Sequence, residues 1–188
     1  MRRMFCLGLI VASCLTPAIA SDTDASPLAG TWRLDPSRST DLSGWDSLKL
    51  VIAVDGPRIT LTRQFAAGRR TYDDVVSVDL SRTVNLVATD FWPDNRYIGA
   101  YVGGDKTRRL RFRLMNDGRL LRTVTDFVLS TQQGDHEVDV LRNYKVSTNG
   151  MQLTLTELRN TRDDPIIYVF QRVVHDTATA PKGNANSP

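Results

Sequence analysis

Cysteine and histidine are nearly absent from this chain. The two cysteines, Cys6 and Cys14, both stand within the first twenty residues, and the two histidines, His136 and His175, form no pair with zinc-ligand spacing. Beyond that opening segment, thiol catalysis, disulfides and thiolate metal sites have no residues to work with. A Gly-x-Ser-x-Gly elbow is missing, and no glycine-rich loop opens a helix to hold phosphate. Asp22, Asp24, Asp94, Asp105 and Asp135 lack the spacing of a calcium loop. The adjacent pairs Asp73-Asp74 and Asp163-Asp164 would point to opposite faces of a strand, so they read as turn residues rather than as paired catalytic acids. The expectation is therefore no catalytic residue, no metal and no cofactor. Long apolar runs are scarce too, and none approaches the roughly 20 residues of a spanning helix.

What the N-terminus does contain is a processing signal. Met-Arg-Arg-Met supplies a charged start, Phe5 to Leu15 an apolar core, and Ala18 and Ala20 the small residues preceding a cleavage point before Ser21. Residues 1–20 are expected to be a removed signal peptide, which places the mature protein in the periplasm or outside the cell. A second route competes with this one. Val11-Ala12-Ser13-Cys14 resembles the lipobox of bacterial lipoproteins, which would make Cys14 a lipidation site and the protein a lipid-anchored envelope resident. Removing the leader lowers Lys plus Arg from 24 to 22 while Asp plus Glu stays at 21, so the net charge falls from +3 to +1. That balance is not the footprint of a nucleic-acid binder. Residues 21–174 have the length of a single domain with a core of its own. Residues 175–188 carry no large apolar side chain and read as a disordered tail.

Within 21–174 the apolar period is two. Leu48, Leu50, Ile52 and Val54 alternate up to a turn at Asp55-Gly56-Pro57, and Ile59, Leu61 and Phe65 return. Val76 to Leu80, Val84 to Ala88, Leu110 to Leu114 and Leu120 to Leu129 continue the pattern, with Asn116-Asp117-Gly118 as a turn. Val138 to Tyr144 leads to Asn149-Gly150, a strong hairpin signal, and the strands from Met151 and Ile167 follow. Amphipathic helices are not evident. The expected fold is all-β: an antiparallel meander of about eight to ten strands that closes as an up-and-down barrel, with a two-sheet β-sandwich as the alternative.

Gly30-Thr31-Trp32, followed by Arg33-Leu34-Asp35-Pro36-Ser37 at the head of the first strand, resembles the opening of the lipocalins and wider calycins, and more closely that of secreted bacterial lipocalin-like proteins. Thr125-Asp126-Phe127 is similar to that family's Thr-Asp-Tyr motif, and Thr89-Asp90-Phe91 repeats it. The resemblance implies a tryptophan plugging the closed end of a barrel beneath a late-strand arginine, with Gly30, Trp32 and Arg172 as the structural signature and Arg142 as the alternative partner. It further implies an interior that takes a small hydrophobic or amphipathic ligand. Trp45, Trp92 and Tyr97, in or beside expected loops, and Tyr144 are the candidate ligand-binding residues.

Arg109, Arg111 and Arg113 form a row on one face of a strand, suited to anionic lipid or an envelope protein unless neighbouring acids such as Asp126 and Asp139 neutralise it. Three functions remain open at this point. The first is ligand binding in the bacterial envelope, the second a structural or protein-interaction module, and the third a hydrolase whose carboxylates are assembled by the fold.

Overall fold

Residues 26–94 and 100–174 are described by a computed structural model of the chain. The expected leader with Cys14, the tail at 175–188 and Tyr97 lie outside the described residues. The elements run β1 (Gly30–Leu34), a short 3-10 turn (Pro36–Arg38), β2 (Ser47–Asp55), β3 (Arg58–Ala67), β4 (Arg70–Asp79), β5 (Asn85–Ala88), β6 (Tyr101–Val102), β7 (Thr107–Met115), β8 (Leu120–Thr131), β9 (Gly134–Val146), β10 (Gln152–Arg159) and β11 (Arg162–Arg172).

All the strands belong to one antiparallel sheet with the order β4-β3-β2-β1-β11-β10-β9-β8-β7-β5, and β6 pairs with β8. Chain neighbours are sheet neighbours almost throughout, as short turns dictate. β1 pairs with both β2 and β11, which joins the two ends of the meander. This is an up-and-down barrel, not a two-sheet sandwich. Eleven strands arise because the short β5 and β6, of 4 and 2 residues, stand as separate elements.

The barrel is open at one seam, between β4 and β5. Asn85 spans it with a side-chain amide that stands in for a peptide group, its Oδ1 accepting from the Asp79 backbone N–H at 2.9 Å and its Nδ2 donating to the Asp79 carbonyl at 3.1 Å. β5 covers β7 only from Thr107 to Leu110, so β7 from Arg111 onward has a free edge.

Inward positions follow the alternation. Leu48, Leu50, Ile52, Ile59, Leu61, Val76, Val78, Leu153 and Leu155 are buried in one continuous core, and Trp92, Phe127, Val138 and Val140 form a second cluster. The pairs Asp73-Asp74 and Asp163-Asp164 lie within β4 and β11, which corrects their reading as turn residues. Backbone pairing overrides local turn preference there. As strand neighbours must, Asp73 faces out and Asp74 faces in.

One barrel end is closed by Trp32, which has no exposed surface and donates from Nε1 to the Leu28 carbonyl at 3.0 Å. The Arg172 guanidinium lies 4.1 Å from the centre of that ring. It also donates to the carbonyls of Ala29 at 2.8 Å, Pro27 at 2.6 Å and Gly150 at 2.6 Å, tying the first strand, the segment before it and the β9–β10 turn together. Burial lowers the pKa of Arg172, yet no carboxylate compensates it. The ring face and three carbonyl dipoles take that role. Gly30 makes the arrangement possible: its φ is +137°, and a Cβ there would stand 2.6 Å from Arg172 Nη1.

Candidate functional site

The same alternation that buries leucine and valine also carries charge inside. Arg63 shares its parity on β3 with Leu61 and Phe65, and Asp74 shares its own on β4 with Val76 and Val78. The two are directly opposite in register. Arg63 donates to Asp74 Oδ2 from Nε at 3.1 Å and from Nη2 at 2.7 Å. Arg108, inward beside Leu110 on β7, reaches the other oxygen, Asp74 Oδ1, at 2.8 Å.

A second acid comes from the segment after β5. Asp94 places Oδ2 2.8 Å from Arg63 Nη1 and 3.0 Å from Arg142 Nη2. Arg142 also donates from Nε to Glu157 Oε2 at 2.6 Å, and Arg159 Nε stands 3.0 Å from Glu157 Oε1. Among the described residues four guanidiniums, Arg63, Arg108, Arg142 and Arg159, share three carboxylates, Asp74, Asp94 and Glu157, and each of these side chains is at most 8% exposed.

Burial alone would raise the Asp74 carboxyl, but Arg63 and Arg108 outweigh it and hold the group well below the ordinary carboxylate range. The same contest at Asp94, with Arg63 and Arg142 opposing burial, ends on the same side. Acids held this firmly ionised are poor proton donors and poor bases near neutral pH. Asp74 and Asp94 therefore supply charge rather than acid–base chemistry.

An internal cavity of ≈ 20 Å³ lies against it, bordered by Arg108, Thr125, Tyr144, Leu110 and Phe112. That is room for about one water. Two buried polar atoms of this border, Arg108 Nε and Thr125 Oγ1, find no hydrogen-bond partner among the described residues. Burial raises the Tyr144 phenol, which keeps it protonated and able to donate. An N–H of a guanidinium, a hydroxyl and a phenol around one small space form a donor set for an oxyanion.

Of the candidate ligand-binding residues within the described part of the chain, Tyr144 is the one that borders this cavity. Trp45 lies outside it: its Nε1 donates to the Pro93 carbonyl at 3.1 Å, its ring centre is 5.3 Å from that of Phe65, and Arg70 covers it. Trp92 is 4% exposed, stacks edge-on against Phe127 and lies under Arg159. These two tryptophans flank Pro93 and Asp94, the segment that closes over the charged interior. Arg142, considered as a cap for Trp32, belongs instead to the Asp94–Glu157 network. His136 is exposed on β9.

On the outer face, Arg109 reaches Asp105 at 3.3 Å and Arg111 reaches Asp126 at 2.8 Å, so two of the three arginines in the row have acids of their own. Of the interior charges, the sequence pattern points Asp74 to a turn and leaves Asp94 outside any calcium loop, and it marks none of Arg63, Asp74, Arg108, Asp94 and Glu157 as a site residue. Their signal was parity: each strand-borne member sits on the apolar face of its strand.

No protein-family model matches the chain, and no curated protein matches it either. Several solved structures overlay on it loosely. One is described as the REP1-NXSQ fatty acid transporter, with 15% identity and a TM-score of 0.48 over 81% of this chain and 100% of the other. Another is a fatty-acid-binding protein isolated from Manduca sexta, with 14% identity and a TM-score of 0.43 over 78% of this chain and 99% of the other.

Proposed function

We propose that this chain is an exported, single-domain barrel that binds a small amphipathic anion, with the charged end of the ligand inside the barrel at Arg108. The observation that carries this reading is the donor set at the internal cavity. Among the described residues Arg108 Nε and Thr125 Oγ1 are buried without partners, in a network holding one more guanidinium than carboxylates. A buried polar atom left unpaired costs about 1–3 kcal/mol, and a carboxylate there would satisfy both atoms and offset the extra charge. The apolar part of the ligand would follow Phe112 and Leu114, which are only partly buried against the core. The leader at residues 1–20 supports export to the periplasm or beyond, and Cys14 supports the lipid-anchored alternative.

One observation favours a second reading. The cavity is smaller than any acyl chain, so the barrel must open to admit one; a barrel that stays shut would instead be an interaction module of the envelope. Calorimetric titration with decanoate and with decanol separates the two. Ligand binding predicts saturable heat with decanoate, a much weaker response to the neutral alcohol, and loss of the difference in Arg108→Gln or Thr125→Val. Absence of saturable binding by wild type to either compound would rule the ligand reading out.

A further inference from the structure

The free edge of β7 borders a groove of ≈ 410 Å³ on the outside of the barrel, where the link between β4 and β5 brings Arg82 alongside Arg111, Arg113 and Arg122. No acidic residue lines it. Arg111 is neutralised by Asp126, and Arg82 approaches Asp79 only at 3.9 Å. Arg113 and Arg122 stand directly opposite each other on β7 and β8. Among the described residues neither has an ion pair, and Arg122 donates from Nε only to the neutral Asn143 Oδ1, at 2.9 Å. Like charges at directly opposed positions destabilise a strand pair. Here both side chains are exposed, so each is free to turn its fork toward a common anion.

We propose that this groove binds a phosphate group, held between the guanidiniums of Arg113 and Arg122 with Arg82 closing from the β4–β5 link, while Phe112 and Val124 offer apolar surface to the organic part of the ligand. The site shares Phe112 with the border of the interior cavity and is otherwise separate from it. Arg111, Arg113 and Arg122 belong to the outward parity of β7 and β8, and the groove's volume falls in the range of small-molecule pockets. Phosphate is favoured over carboxylate because it offers oxygens to two bidentate forks at once.

Full-length mature protein is titrated with inorganic pyrophosphate, and separately mixed with phosphatidylcholine vesicles containing phosphatidic acid. The comparison is between wild type, Arg113→Gln/Arg122→Gln, and Arg33→Gln/Lys49→Gln. The last variant removes an equally charged, exposed pair that faces across β1 and β2, on strands that do not line the groove. Binding should weaken about tenfold or more in the first variant, from the loss of two charge-assisted contacts, and stay unchanged in the second. Pyrophosphate binding that follows this pattern identifies a soluble phosphate compound as the ligand class. The pattern with vesicles alone identifies a lipid head group. Binding of neither probe, or equal loss in both double variants, overturns the proposal.

Discussion

Replacing Asp74 by asparagine should be among the most damaging single-atom changes available in this protein. Asp74 accepts from Arg63 at 3.1 and 2.7 Å and from Arg108 at 2.8 Å, and its side chain is 3% exposed. The amide keeps the size but removes the charge, leaving Arg108 with no carboxylate and Arg63 with Asp94 alone. Removing one partner of a buried ion pair costs about 3–5 kcal/mol. The adjacent Asp73 is the control, since it is exposed on the same strand and its Asn variant should stay within about 0.5 kcal/mol of wild type.

Acid gives an independent check. Asp74 is held below its ordinary value of 3.8, so the stability it contributes is complete above that pH and is lost as pH falls through the lowered folded-state value. The gap between wild type and Asp74→Asn, read from urea melts, should therefore be constant at neutral pH and narrow in strong acid. Equal midpoints for the Asp73 and Asp74 variants at neutral pH would refute the buried-network reasoning.

Other outcomes follow from the same geometry. Gly30→Ala should cost about 1–3 kcal/mol from its backbone conformation alone, and the displaced Arg172 should alter the near-UV circular dichroism of Trp32. Asn85→Ala should remove two hydrogen bonds across the seam at about 1 kcal/mol each, with faster amide exchange at Asp79. Asn85→Leu should not rescue that exchange. Mass spectrometry of the mature protein should show an N-terminus at Ser21 if cleavage follows Ala20, or an acylated Cys14 if the lipobox is used.

The architecture was legible because alternation is a strong signal in long strands. Leu48 to Val54 and Ile59 to Phe65 gave β2, β3 and the turn between them from sequence alone. Less visible were β6, with only two residues, and the first half of β4, where Arg70 to Asp74 has no apolar repeat. The interior site was missed for a physical reason. Charged residues are ordinarily assigned to the solvent face, and the adjacency of Asp73 and Asp74 suggested a turn. Parity points the other way, since Arg63, Asp74, Arg108, Arg142 and Glu157 each stand two residues from a buried apolar side chain. The pairing of Arg63 with Asp74 required the β3–β4 register, and Asp94 reaches the network from an irregular segment that no periodicity announces. Trp45 and Trp92, candidates for ligand binding because they flank loops, brace with their rings the segment that carries Asp94.

The account's central claim is that Arg108 receives the charged end of a ligand inside the barrel. The most direct measurement is the Nε–Hε resonance of Arg108 in a nitrogen–proton correlation spectrum, followed as decanoate is added. The expected result is a saturable shift of Arg108 with little change at Arg172, whose donors are already taken by three carbonyls. A spectrum in which Arg108 stays fixed at saturating decanoate, or in which Arg172 moves instead, contradicts it.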